Sequence, residues 1–331
     1  MEKIKLGLIF GGKSGEHEVS CRSAEAIFNN LDGAKYCIEK IWISKDLQWF
    51  HVTKDTKRCI TSELVPFLRL FDLLFPIIHG PNGEDGTLQG LLRFIDRPFV
   101  GCDVLSTAIC MDKEVTKRLL EHANILVAPY LLFKEEVEKC LVSYPAFVKP
   151  ANNGSSIGIS RVENESELNG AISLALAHDK KVLIESAIDG DEVECAVFGN
   201  EDPRVSLPGR FRNIDKFYSY EAKYGKQEAT TFEIPAKYPK ELILQIQELA
   251  LKVYRVLGCE GMARVDMFVT NERKIYVNEV NTHPGFTAIS LYPQMWEASG
   301  VPFSDLLDIL IDLAIQRKAA QQIKQPSPSI Q

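Results

Sequence analysis

Arg264, Asp266, Glu279 and Asn281 are the residues of this chain whose types and spacing most readily do chemistry together. They lie in two runs, 262–269 and 274–280 with its next residue, that read as strands of a β-hairpin around T-N-E-R. A four-residue loop at 270–273 pairs Arg264 with Glu279 and Asp266 with Val277. Opposed residues share a face, so the four polar side chains project to one side. Ala263, Val265, Met267, Val269, Tyr276 and Val280 take the other side, as packing requires. A slip of one residue would turn Glu279 over. Two carboxylates and an amide oxygen on a rigid surface suit a hard cation such as Mg²⁺, which is usually held by a few side chains plus phosphate oxygens. The same set also suits a structural Arg–carboxylate pair near a sheet end.

Three further stretches carry suitable residue types. In F-V-K-P-A-N-N-G-S-S-I-G-I-S (147–160), Lys149 ends a strand and a Gly/Ser/Asn turn follows, whose N–H groups can cradle phosphate. It is not a Walker A loop, because the lysine precedes the glycines; an ordinary hairpin loop is the alternative. G-G-K-S-G-E-H-E-V-S (11–20) follows the first strand, where a parallel sheet binds ligands, but it lacks the dinucleotide fingerprint. Glu16 and Glu18 fit a cationic group better than pyrophosphate, or serve as capping acids of a helix. D-K-F-Y-S-Y-E-A-K-Y-G-K (215–226) has aromatics and charges without a period. It reads as a lid over a site, or as a solvated loop docked on its own domain.

Elements must hold these residues in place. Strands at 4–10, 41–43 and 73–78 alternate with helices ending near 31 and at 87–95, which implies a parallel α/β unit. A charged helix at 113–122 leads out of it. Strands at 146–149, 158–162, 182–185 and 192–198, with a helix at 165–178, form a smaller α+β unit. The spacing of Leu242, Ile246, Leu249, Val253 and Leu257 predicts a helix over 241–257 capped by Gly258. A last amphipathic helix spans 303–317 with Ser304 as N-cap, and a polar Pro/Ser-rich tail follows that is expected to be disordered.

The bulk composition agrees. The 331 residues are 45% hydrophobic, enough for two or three domains with real cores. A net charge of −7 argues against a general nucleic-acid surface while allowing a local basic pocket for phosphates. The 8 cysteines are scattered without a C-x-x-C pair, which points to buried free thiols in a reducing cytosol. No signal h-region and no stretch near the length of a membrane span is present, so a soluble cytoplasmic protein without membrane partners is expected.

Taken together, the motifs resemble those of the D-alanine–D-alanine ligases, members of the ATP-grasp fold. F-G-G-K-S-G-E-H-E-V-S, H-G-P-N-G-E-D-G-T-L-Q-G (79–90), C-M-D-K (110–113), V-K-P-A-N-N-G-S-S-I-G, Y-E-A-K-Y, G-M-A-R-V-D-M-F, N-E-V-N-T-H-P-G-F-T and S-L-Y-P (290–293) occur in the family's order, across about 1–318. The resemblance implies an N-terminal Rossmann-like α/β domain (1–114), a small central α+β domain (115–192) and a C-terminal α+β domain (193–318). The lid would span about 211–231, the tail 319–331, and ATP would lie between the last two domains. It implies an ATP-dependent joining of two D-alanines through an acyl phosphate, for peptidoglycan precursors. Two Mg²⁺ ions, replaceable by Mn²⁺, would assist, and the enzyme would be a homodimer.

Carried over residue by residue, Asp266, Glu279 and Asn281 would hold the metal ions, with Glu279 bridging. Lys113, Lys149, Lys223 and the turn at Ser155–Ser156 would contact ATP phosphates. Glu185 and the backbone after it would bind adenine, and Glu192 would lie near the ribose. Glu16 would pair with the first substrate's ammonium, with His79 lining that subsite. Arg264 and the Gly285 N–H would form the oxyanion hole, and Ser290 and Leu291 would position the second D-alanine. Glu16, Ser155 and Tyr224 would link first domain, central domain and lid. Relatives that use D-lactate or D-serine tend to carry Arg where Leu291 stands, and D-lactate enzymes replace the lid's K-Y, so Lys223-Tyr224 and Leu291 resemble the dipeptide-forming type. His283 departs from the pattern at a variable position; it is expected at the surface, with tuning of pH dependence as the alternative.

Overall fold

The computed structural model describes residues 2–133, 142–213, 230–287 and 289–323. The N-terminal unit is built on β1 (Ile4–Gly11), α1 (His17–Asn30), β2 (Tyr36–Ile43), β3 (Trp49–Val52), β4 (Lys57–Cys59), a short α2 (Leu64–Leu68) and β5 (Leu73–Ile77). The strand order is β4-β3-β2-β1-β5. β1 pairs in parallel with β2 and β5, as the alternation of strands and helices predicts, while β3 and β4 add an antiparallel edge. The chain leaves β1 through Gly11, where a side chain is impossible: φ is +97° and a Cβ would lie 2.2 Å from Ile43 O. That turn brings 12–16 back over the carboxyl end of the sheet. α3 (Thr87–Ile95), α4 (Val104–Met111) and α5 (Lys113–His122) follow. Asp112 separates the last two and caps α5, its carboxylate accepting the Glu114 and Val115 N–H groups.

The central unit comprises β6 (Tyr130–Phe133), β7 (Ala146–Pro150), β8 (Ser160–Val162), α6 (Glu165–Leu176) and β9 (Val182–Ser186). Its antiparallel sheet has the order β6-β9-β7-β8, and α6 buries Leu168, Ala171, Ile172 and Ala175 against it. The C-terminal unit comprises β10 (Gly190–Gly199), β11 (Arg204–Val205), β12 (Gly209–Asn213), β13 (Thr230–Glu233), α7 (Lys240–Val256), β14 (Gly261–Thr270), β15 (Ile275–Asn281), α8 (Leu291–Ala298) and α9 (Phe303–Ile323). Its sheet runs β13-β12-β10-β14-β15, with β11 on β10. β10 runs across the 192–193 boundary.

Two apolar layers tie the units together. One face of the C-terminal sheet meets α7, burying Val265, Met267, Val277 and Val280 against Ile246 and Tyr254. A second core joins Leu6, Ile27 and Phe75 of the first unit to Trp296, Leu307 and Leu310 of α8 and α9. The last helices therefore belong to the N-terminal core as much as to their own sheet.

Three expectations are corrected. α9 begins at Phe303, with the Leu306 N–H already on Pro302 O, so Ser304 lies inside the first turn and is not the N-cap. α9 also continues to Ile323, so 319–323 are helical; 324–331 lie outside the described residues. Burial holds for the Cys102, Cys110, Cys195 and Cys259 thiols, whereas Cys37 and Cys59 are exposed on strands of the N-terminal sheet. Among the described residues, no helix is long and apolar enough to cross a membrane.

Candidate functional site

The hairpin does not pair as a four-residue loop would dictate. Arg264 lies opposite Asn281, Val265 opposite Val280 and Asp266 opposite Glu279, and the register then shifts by one so that Met267 faces Val277. Two displacements combine. The loop is shorter, closed by the Thr270 N–H on Lys274 O, and Asn278 is an extra residue in β15. Each alone would turn side chains over; together they keep Arg264, Asp266, Glu279 and Asn281 on one face. The bulge also changes the inner face. Val277, expected opposite Asp266, is fully buried with Val280, and Tyr276 faces Phe268 instead.

On that shared face Arg264 is the hub. Its Nε and Nη2 donate to Asp266 Oδ1 and Oδ2, each at 2.7 Å, and its Nε lies 3.0 Å from Glu194 Oε2. Burial alone would lower the guanidinium's proton affinity, but Asp266 and Glu194 raise it well above the ordinary value, so it is a permanent cation. Asn281 Nδ2 donates to Asp266 Oδ2 at 2.9 Å, which leaves Oδ1 as the amide's acceptor. Lys113 Nζ lies 3.4 Å from Glu279 Oε2 and donates to Asn153 O at 2.7 Å. One side chain thus joins the hairpin platform to the 153–156 turn. Among the described residues, no three His, Cys, Asp or Glu side chains are grouped closely enough to hold a metal. Two carboxylates and an amide, all hard oxygen donors, fit Mg²⁺ when phosphate oxygens complete the set.

The turn itself is unusual backbone. Ser155 and Ser156 are both left-handed, with φ of 53° and 59°, a conformation that costs non-glycine residues energy and clusters at functional sites. It sits against the N-terminal loop: a Cβ built on Gly154 would lie 3.8 Å from Glu16 Oε2, and one on Gly15 would lie 3.6 Å from Ile157 Cδ1. Glu16 is the N-cap residue of α1 and also lies against Gly80, next to His79. The structure therefore brings Glu16, His79 and the Ser155 turn together. Tyr224 and Lys223 lie outside the described residues, so the lid's share of this group does too.

His79 is buried, and desolvation holds its imidazole below the ordinary value. Its Nδ1 lies 2.8 Å from His283 O. His283 is not a surface residue. It is 2% exposed, neither ring nitrogen has a hydrogen-bond partner, and Nε2 crowds the position a Gly101 side chain would take. Burial, then His79 and Arg317, push its pKa down to about 3, so the ring is neutral and packs as a core group. Gly285 follows two residues later; a Cβ there would lie 2.8 Å from Ser290 Oγ, so a side chain would displace the Ser290 hydroxyl. Ser290 Oγ accepts the Thr287 N–H at 2.9 Å, and Leu291, first residue of α8, packs half-buried on the core shared with the N-terminal unit.

Glu185 and Lys149 form a separate buried group. Lys149 Nζ lies 2.6 Å from Glu185 Oε2, and Lys117 Nζ lies 3.3 Å from Oε1. Burial would raise the Glu185 carboxyl, but Lys149 and Lys117 hold it below the usual carboxylate range. Lys149 is thus engaged with Glu185, while Lys113 serves the 153–156 turn. Glu192 stands on β10 opposite Phe268, two residues from Glu194, on the platform side.

Sequence reasoning missed Glu194, Lys117 and Glu84. Glu194 was legible in principle, because D-E-V-E places it in alternation with Glu192. Lys117 on α5 carries no such signal; helix spacing alone does not tell a buried lysine from a solvated one. Glu84 lies inside a quoted motif, but its partner His283 comes from a distant segment of the chain.

The chain matches the model of the D-ala D-ala ligase C-terminus over residues 119–312 and that of the N-terminus over 5–66 and 61–102. A D-alanine–D-alanine ligase of Thermoanaerobacter sp. (strain X514) is 44% identical, across 96% of this chain and 98% of its own. D-alanine–D-alanine ligase A of Escherichia coli O6:H1 is 41% identical, across 97% and 98%. Among solved structures, VanG D-Ala:D-Ser ligase from Enterococcus faecalis has a TM-score of 0.83 at 38% identity, covering 95% of this chain and 100% of that one. The D-alanine–D-alanine ligase from Coxiella burnetii has a TM-score of 0.83 at 35% identity, covering 98% and 97%. With its three-unit architecture and its platform of Arg264, Asp266, Glu279 and Asn281, this chain belongs to the D-alanine–D-alanine ligase family of ATP-grasp fold.

Proposed function

We propose that the protein joins two D-alanines into D-alanyl-D-alanine, converting ATP to ADP and phosphate, in the cytoplasm where ATP is supplied. The observation that supports the reading is the reach of Lys113, which joins the carboxylate platform to the left-handed serine turn. The first D-alanine's ammonium lies by Glu16, and its carboxylate oxygen attacks the γ-phosphorus, releasing ADP and leaving an acyl phosphate. The second D-alanine, as free amine, adds to the acyl carbon; phosphate leaves and the proton goes to solvent. Arg264 and the Gly285 N–H face the oxyanion formed in that addition. Asp266, Glu279 and Asn281 would hold Mg²⁺ or Mn²⁺, which would offset the charge of the triphosphate. Lys149, ion-paired with Glu185, serves the ATP phosphates, while Glu185 and the backbone after it take adenine, with Glu192 towards the ribose. Lys223 and Tyr224, which lie outside the described residues, would add a phosphate contact and the link to Glu16 and Ser155.

D-Serine as second substrate is the other reading, favoured by the likeness to VanG D-Ala:D-Ser ligase. Leu291, where an arginine marks relatives of altered specificity, favours D-alanine. Phosphate release with ATP and D-alanine alone, then with D-serine or D-lactate added, separates the two. Dipeptide from D-alanine alone is expected; release that depends on an added D-serine or D-lactate would overturn the assignment.

We also infer a homodimer. Phe94 and Leu105, on the adjacent helices α3 and α4, are 73% and 72% exposed.

A further inference from the structure

The Gly285 N–H can act on a reacting carbonyl only if the backbone around it is held still, and the structure shows what holds it. Pro284 has no N–H, so the nearest upstream backbone donor is the His283 N–H, with the His283 C=O beside it. Both are taken by side chains of one short loop of the N-terminal unit. Glu84 Oε1 accepts the His283 N–H at 2.9 Å, and His79 Nδ1 lies 2.8 Å from His283 O. Downstream, the Phe286 N–H donates to Ser23 Oγ at 3.2 Å, and Ser23 Oγ lies 3.3 Å from His79 Nε2. Gly285 is therefore strapped at residues 283 and 286 by three side chains some 200 or more positions away in sequence.

Glu84 is the strongest member of this strap. Its other oxygen, Oε2, accepts the Gly80 N–H at 2.7 Å, and its own N–H bonds Gly80 O at 2.9 Å. The carboxylate thus locks the 80–84 turn beside Glu16 and the 282–286 strand exit with one group. Each carboxyl oxygen accepts one N–H, so a single rigid group fixes both segments at once.

We propose that Glu84 is a positioning residue: by holding the His283 peptide it sets the Gly285 N–H against the oxyanion of the reacting carbonyl, and it couples that donor to the loop that receives the first substrate. Glu84 touches neither substrate nor ATP in this assignment. It acts through the strap, and the proposal rests on the ligase reading above.

The test is Glu84→Gln in the full chain. Glutamine keeps the size but has one acceptor oxygen, so its NH₂ faces one of the two N–H groups. We expect kcat with D-alanine to fall roughly 10- to 100-fold, in the range for a misplaced oxyanion donor. KM for ATP and for the first D-alanine should stay within about 3-fold, as a loss confined to the transition state requires. A phosphinate analogue of the dipeptide, whose tetrahedral phosphorus mimics the addition intermediate, should lose affinity in step with kcat. Unchanged kcat, or a loss confined to KM of the first D-alanine with analogue affinity intact, overturns the proposal. If Glu84→Gln does not fold, Ser23→Ala unpins the strap at its other end; it carries the same expectation, and unchanged kcat there overturns it too. Failure of the unsubstituted protein to make dipeptide would sink the ligase reading instead.

Discussion

Arg264 and Glu84 meet burial in opposite ways. Around Arg264, Asp266, Glu194 and the more distant Glu279 outweigh desolvation and fix the positive charge. Around Glu84, burial and the neighbouring Glu16 outweigh its two N–H bonds and push the carboxyl up to about 8 from 4.5. A carboxyl with a raised folded-state pKa contributes stability that is fully present below about 4.5 and is lost as pH rises through about 8. Glutamine cannot ionise, so Glu84→Gln should gain on the unsubstituted protein by up to a few kcal/mol between pH 5 and pH 8. Denaturant melts of both proteins at the two pH values read this directly, and a stability gap that does not move would contradict it. A variant that is sturdier at pH 8 yet slower would show stability traded for a held donor. At this scale the sequence was informative wherever chemistry follows a local period. Asp266, Glu279 and Asn281 announce themselves by alternation. Glu84, His79 and Ser23 do not, because their partner is a peptide group supplied by a distant segment.

The elements were legible in proportion to their length and period. The helices at 87–95 and 113–122 fall where the spacing puts them, and α7 differs by one residue at each end. α4 and α8 went unseen: V-L-S-T-A-I-C-M is apolar on nearly every side, and L-Y-P-Q-M-W-E-A has proline in its first turn. β3 and β4 are short strands on the antiparallel side of the sheet, with no clean alternation. The hairpin teaches most. Its functional face was read correctly although its register was not, because the shortened loop and the Asn278 bulge each displace the pairing by one residue. The inner face exposes the difference. Strict alternation puts Val277 beside the polar platform, where an acid would be tolerated; the bulge puts it in the core. Val277→Asp should therefore cost several kcal/mol through a buried unpaired charge, seen as a collapse of the thermal melt. A variant that melts like its parent would mean that the bulge is misplaced.

At the scale of the molecule, the N-terminal and C-terminal units are not independent. Arg317 of α9 donates to Gly101 O at 2.6 Å and to Phe99 O at 2.7 Å while lying over the Phe99 ring. α8 and α9 share the core of the first sheet. The sequence implied three units but not this interlock, since hydrophobic periodicity says which face is buried and not against what. Phe94 and Leu105 are exposed apolar side chains on the adjacent helices α3 and α4, and the proposed homodimer would give them a partner. Phe94→Asp should convert a dimer to a monomer in sedimentation experiments without lowering the melting temperature; a dimer that persists would place the interface elsewhere.

The central claim is that one site takes a carboxylate through an acyl phosphate to a peptide bond. The most direct measurement is turnover with ATP and D-alanine labelled with ¹⁸O in its carboxylate, followed by mass analysis of dipeptide and phosphate. D-Alanyl-D-alanine is expected together with phosphate that carries one ¹⁸O per peptide bond formed, because the attacking carboxylate oxygen leaves with the phosphoryl group. Phosphate free of label, or label found in a nucleotide product instead, would contradict that claim.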